Sequence, residues 1–231
     1  MLKLRPAIAM IELIFAIVII AIVLMSAPLL IQTSVKSGYV AVQQEAINEA
    51  ATRMNMIMSY PWDENDADPL YNAPILHVTS GASDLNEIGS TGKRKGMPPL
   101  SSRSFIRSDG TGTLFASSTL GSDGGDSDDL DDFIGDINLT LVETAKSDYI
   151  EKESININTA VAYASDTVGG YAQNDITYNP FGTGTTSTNI KAITVTLTSD
   201  VTKSSEEMNK MITLQAFSCN IGSYELVYRD F

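Results

Sequence analysis

Cysteine, histidine and tryptophan occur once each in this 231-residue chain, and cations are scarce beside acids. A single cysteine, Cys219, cannot close an intrachain disulfide, and it is read as a small buried side chain in the last strand. A single histidine, His77, has no second histidine or cysteine near it in sequence with which to build a metal site, so it is read as the surface residue of a strand. A Ser/His/Asp or Cys/His arrangement has only His77 to rest on, with no nucleophile-elbow motif beside it and no Gly-Lys-Ser/Thr loop to cradle phosphate. The acidic pair Glu151 and Glu153 suits a strand edge facing water as well as it suits acid–base work. These shortages predict a protein that is not an enzyme. With 28 acidic against 15 basic residues the formal charge is −13, which argues against nucleic acid as a partner, because phosphate binding needs clustered Lys and Arg. The small cluster Lys93-Arg94-Lys95 reads as a solvated turn.

What the chain has in abundance is apolar sequence near its start. From Ile8 to Ile31 every residue is apolar or small except Glu12, and about 20 such residues suffice to cross a bilayer as a helix. Lys3 and Arg5 precede the run and Lys36 is the first cation after it, so the basic flank predicts a cytoplasmic N-terminus with the rest of the chain sent outward. Glu12 is the anomaly: an acid among hydrocarbon costs roughly 2.5–3.5 kcal/mol on insertion scales. Its natural partner is a primary amine. Cutting the chain after Ala7 makes Ile8 a new N-terminus, with Glu12 four residues along the same helix face.

The stretch Ala7-Ile8-Ala9-Met10-Ile11-Glu12-Leu13, behind a short leader with Lys3 and Arg5, resembles the class III signal of type IV pilins and of type II secretion pseudopilins. The resemblance covers about the first thirty residues, and Ala7 and Ile8 stand where glycine and phenylalanine or methionine are commoner. It implies cleavage between Ala7 and Ile8 by a prepilin peptidase, methylation of the new amine, and assembly through Glu12, Leu13, Phe15 and Pro28 with other subunits into a pseudopilus or pilus. It also implies residence in the bacterial inner membrane with a periplasmic head before assembly. A secretory signal peptide, with Met25-Ser26-Ala27 as its cut site, is the plainer alternative, but the apolar run is too long for it and contains Glu12. The rival function is an anchored or secreted β-rich binding module that does not polymerise.

Beyond the run, Val35, Tyr39, Val42, Ala46, Ala50, Met54 and Met58 form a stripe at helical spacing, so one helix is expected to continue to about Ser59 and stop before Pro61. Pro28 is expected to kink it or loosen one turn. Met54, Met56 and Met58 alternate, but only the first and last share a helix face, which favours packing over a soft-metal site. Residues 60–133 read as a long Gly/Ser/Asp-rich connection with two short strands, Ile75–Thr79 and Ser104–Arg107. From Ile137 the pattern is β: residues 137–142, 154–159, 190–198 and 210–217 are the expected strands, with a polar hairpin loop over 199–209. Alternation puts Ile193, Val195 and Leu197 on the helix side and Thr194, Thr196 and Thr198 toward water. The predicted organisation is a leader (1–7), a membrane and assembly helix (8–31), its amphipathic continuation (32–59), the connection (60–133) and an antiparallel sheet head (134–231). The fold class is α+β, a long helix packed on an antiparallel sheet.

Two acidic loops, Asp63 to Asp68 and Asp123 to Asp132, are rich enough in oxygen to suggest calcium, with Asp123, Asp126, Asp128 and Asp131 as candidate ligands. Neither completes an EF-hand, and a solvated acidic loop is the alternative reading. No other cofactor is implied.

Overall fold

The structure is a computed structural model that describes residues 6–68, 70–122, 125–140, 154–167, 178–182, 184, 186–199 and 210–224. Expectations that fall on Asp123, on Glu151 and Glu153, on residues 141–142 and on the loop over 200–209 lie outside the described residues. The chain divides into two compact units, Met1–Ala46 and Ile47–Phe231.

Helix α1 (Pro6–Ile57) has 52 residues, about 78 Å at 1.5 Å per residue, and contributes to both units. It is long and apolar enough to cross a membrane. Its assignment is unbroken through Pro28, which removes one backbone donor without ending the helix. Hydroxyls in this stretch bond back to the helix: Ser26 donates to the Val23 carbonyl at 3.1 Å, and Thr33 to those of Leu29 and Leu30 at 3.1 and 2.9 Å. At the far end the amides of Ser59 and Tyr60 reach the carbonyls of Met56 and Ile57 at 3.0 and 3.1 Å, a tightened last turn that precedes Pro61.

In the second unit four strands form one antiparallel meander in chain order: β1 (Gly135–Thr140), β2 (Ser154–Ala164), β3 (Ile190–Ser199) and β4 (Ile212–Cys219). The pairing sets Ile157 beside Leu197, Thr159 beside Val195, Val161 beside Ile193 and Tyr163 beside Lys191. Because side chains alternate, these residues share one face, and Ile157, Val161, Ile193, Val195 and Leu197 are all buried there. The final turns of α1 add Ala50, Met54 and Ile57, and Arg53 fixes them to the sheet by donating from Nε to Thr159 Oγ1 at 2.7 Å and from Nη2 to the Phe133 carbonyl at 3.0 Å. Burying an Ile or Val side chain stabilises by about 1.5–3 kcal/mol, so this layer drives the packing of helix on sheet.

The α+β layout and the inward face of β3 are as expected, and several details differ. The buried end of the helical stripe is Ala46, Ala50, Met54 and Ile57, whereas Met58 is exposed, since a spacing of three at the last step follows the 3.6-residue period better. Ile75–Thr79 and Ser104–Arg107 do not form regular strands. They make isolated bridges, His77 to Phe115 and Ile106 to Thr113, and their remaining backbone bonds are scattered over several stretches, Ile75 to Ser104 and Phe105 to Gly92 among them. His77 is only partly exposed, stacked against Phe105 and Phe115 with centroids at 4.7 and 5.2 Å and set 3.4 Å from Glu87. Cys219 ends β4 half-buried, and burial pushes its thiol pKa up.

The basic cluster is not a solvated turn. Arg94 donates to the carbonyls of Leu85 and Asn220 at 2.7 Å each and to Asn189 Oδ1 at 2.5 Å, while Lys93 donates to the carbonyls of Ser101 and, at 2.9 Å, Arg103. Only Lys95 reaches outward, to Asp84 at 3.7 Å. The connection is thereby held to the sheet end. Asn220 continues the lock, its side chain bonding both the amide and the carbonyl of Leu76 at 2.9 and 2.7 Å. Asp166 does the same for Asn189, accepting from its backbone and side-chain nitrogens at 3.1 and 2.6 Å.

Candidate functional site

Two features stand outside ordinary packing, one in each unit. The first is the apolar portion of α1. From Met10 to Ile31 every described side chain is exposed, including Leu13, Phe15, Leu24 at 67% and Met25 at 76%. The exposure runs round the whole circumference, so this stretch has no inner and outer face. Glu12 lies among these residues, one turn from Phe15, and is exposed like them. Ala7 and Ile8 belong to the first turns of the helix, and Pro28 falls late in the apolar stretch. Sequence and structure therefore bring the processing and assembly candidates onto one element, with Glu12 the one acid between Met10 and Ile31.

The second feature is a buried charge cluster in the head. Lys191 sits near the start of β3 on the inward face, two residues before Ile193, and its side chain is fully buried. Its ammonium Nζ donates to Asp131 Oδ1 and, at 3.2 Å, to Asp63 Oδ2, with Asp129 Oδ2 at 4.0 Å. It also lies 4.8 Å from the Trp62 ring centre and 5.6 Å from that of Tyr163. These two rings, 6.2 Å apart, belong to an apolar cluster with Leu76, Val78, Leu114, Ala116 and Leu120.

Both acidic loops supply the carboxylates, each held by short-range geometry. Asp63 caps the 3₁₀ turn Glu64–Asp66 by accepting from the Asn65 amide, and the Asp66 carboxylate accepts from the Asp63 amide at 3.1 Å, a reciprocal capping box. Both Asp63 oxygens also accept from the Ser117 amide, at 3.1 and 3.0 Å. In the second loop Asp129 accepts from the amides of Asp131 and Asp132 at 2.8 and 3.2 Å, and Asp131 Oδ2 accepts from the Gly121 amide at 2.9 Å. The Leu130 amide reaches the Pro61 carbonyl at 3.1 Å, tying the two loops together. The Tyr163 hydroxyl donates to the Ser117 carbonyl at 2.5 Å.

One ammonium cannot neutralise every carboxyl here, and the surplus shows in their acidities. Burial pushes Asp66 and Asp129 up to about 7, only partly opposed by the backbone bonds to these carboxyls and by the charge of Lys191. Burial and the surrounding carboxylates raise the Tyr163 phenol as well.

Three of the four calcium candidates fall on described residues, and each has a different environment. Asp126 is exposed, Asp128 is partly buried with its Oδ1 lacking a hydrogen-bond partner, and Asp131 faces Lys191. Among the described residues no group of three or more His, Cys, Asp and Glu side chains has the arrangement of a metal site. Sequence reasoning did not single out Lys191. The signal was present in the parity of β3, which assigns 191 to the same face as 193, 195 and 197.

Comparison of the chain with protein-family models, with curated proteins and with solved structures found no match.

Proposed function

We propose that the chain is a structural subunit of the prepilin type, cut between Ala7 and Ile8 by a prepilin peptidase and methylated on the new amine. It is held in the inner membrane by α1 with its head in the periplasm, and then assembles through α1 with other subunits into a type II secretion pseudopilus or type IV pilus. The observation that carries this reading is the exposure of apolar side chains all around α1 from Met10 to Ile31, broken by the one acid Glu12. A helix apolar on every side has no dry face of its own, so it needs lipid or other helices around it. In a filament neighbouring copies of α1 would take the place of lipid, packing through residues such as Leu13 and Phe15. Glu12 then gives a register. A carboxylate that costs roughly 2.5–3.5 kcal/mol among hydrocarbon is relieved when it meets the N-terminal amine of a neighbour.

The test is incorporation of Glu12→Ala into filaments, beside peptide mass analysis of the mature N-terminus. Loss of about 2.5 kcal/mol of matching predicts a drop in incorporation of roughly 60-fold, with the head still folded and the mature chain still starting at Ile8. Assembly of Glu12→Ala equal to that of the parent chain, or a membrane-bound chain starting at Met1, overturns the proposal.

A further inference from the structure

The buried cluster around Lys191 belongs to the second unit, and its geometry points to a covalent modification that does not depend on the reading of α1. We propose that Lys191 and Asp131 condense into an intramolecular isopeptide bond between Nζ and Cγ, with Asp63 as the proton relay.

Four observations support it. First, the reacting groups are in direct contact: Nζ lies on Asp131 Oδ1, and both side chains are shielded from solvent, at 0% and 4% exposure. Groups held this way react with effective molarities on the order of 10⁵–10⁸ M. Second, water is kept from the pair: Nζ lies against the rings of Trp62 and Tyr163, 4.8 and 5.6 Å from their centres, and the step needs only one proton moved from Nζ to Asp131 across their contact. Third, the Gly121 amide already donates to Asp131 Oδ2 at 2.9 Å, where it polarises the carboxyl and holds the oxyanion of a tetrahedral intermediate. Fourth, Asp63 Oδ2 is 3.2 Å from Nζ, and the Ser117 amide holds its carboxylate in place.

The step balances without an added reactant. In the neutral pair Asp131 carries its proton on Oδ1, and the Nζ lone pair attacks Cγ. The C–N bond forms as the carbonyl electrons move onto Oδ2. Nζ passes its extra proton to Asp63, and Asp63 delivers it to the Oδ1 hydroxyl. Water leaves as the carbonyl re-forms, and Asp63 returns to carboxylate. An amine and an acid become an amide and one water, with no change of oxidation state. Burial, which pushes the Asp129 carboxyl up to about 7 at 4.0 Å from Nζ, keeps further negative charge away from the reacting pair up to near-neutral pH. The product joins residues 60 apart, fastening the acidic loop to β3 in a chain whose single cysteine offers no internal disulfide.

The test is mass spectrometry of the full chain purified from its membrane, intact and after tryptic digestion. The expected intact mass is one water below that of the mature sequence. The expected digest contains residues 108–146 joined to residues 153–203 with Lys191 uncut. Lys191→Met and Asp131→Ala restore the full mass, and Asp63→Asn lowers the linked fraction at least tenfold. Recovery of residues 108–146 as a free peptide together with cleavage at Lys191 overturns the proposal, as does loss of water confined to Asp109-Gly110 or Asp123-Gly124, the two Asp-Gly pairs of that peptide, which can close on themselves. Linkage undiminished in Asp63→Asn overturns the relay. The wild-type digest decides the bond even where a variant fails to fold.

Discussion

The apolar stretch of α1 and the sheet head handle charge and oil in opposite ways. From Met10 to Ile31 the helix leaves its apolar side chains outside and carries the acid Glu12 out with them. The head buries Ile193, Val195 and Leu197 and, beside them, a lysine with carboxylates from two loops. Exposed hydrocarbon has value only with a partner, whereas buried charge has value only when its counter-charges are in place. The first arrangement looks outside the chain for its partner, and the second is complete within the head.

The largest effect that separates them comes from deleting one charge in each. Lys191→Ala removes the Nζ that joins Asp63 and Asp131, as an ammonium before the amide forms and as the amide nitrogen after it, and losing one partner of such a buried pair costs about 3–5 kcal/mol. Thermal or urea unfolding of the detergent-solubilised chain is expected to show that loss, with Glu12→Ala unfolding like the parent. Equal unfolding of the two variants would break the distinction.

Next in size is the response to pH. Asp66 and Asp129 have folded-state values near 7 against an ordinary 3.8, mainly through burial. Between about pH 4 and pH 7 the folded head therefore holds protons that the unfolded chain has released, and its stability falls as pH rises through that window. Amide formation at Lys191 removes a positive charge that holds both values down, so the direction is unchanged. Unfolding midpoints across this range check the slope, and Asp129→Asn is expected to flatten it.

Much of this architecture is legible in the sequence because it is written in short periods. The apolar run shows α1, and alternation around Ile193 shows β3 and its buried face. Glu12 was found because an acid in such a run is out of place. The cluster around Lys191 was hidden for another reason: composition marks Asp63–Asp68 and Asp123–Asp132 as loops in need of a cation without saying which cation, and Lys191 lies 60 residues from Asp131 and 128 from Asp63. The same limit applies to Lys93-Arg94-Lys95, where charge alone cannot distinguish water from backbone carbonyls as the partner.

A smaller change tests the apolar half of the comparison. Ile193→Val removes one methylene from a fully buried site and is expected to cost about 0.5–1.5 kcal/mol of head stability. The same substitution at Ile20, exposed at 56%, leaves no cavity in the chain itself. Its unfolding in detergent is expected to match the parent within error, because Ile20 is exposed and its extra methylene fills no packed site among the described residues.

The smallest effect lies within the basic cluster, where neighbours in sequence belong to different environments. Lys95 is 71% exposed and meets Asp84 at 3.7 Å, so solvent and salt screen the pair and two long side chains lose freedom in forming it. Lys95→Ala is expected to change unfolding stability by less than about 0.5 kcal/mol, and the difference is expected to shrink further as salt is added. A larger loss would mean that exposed charge in this head contributes as buried charge does, and the contrast between Lys95 and Lys191 would no longer follow from burial.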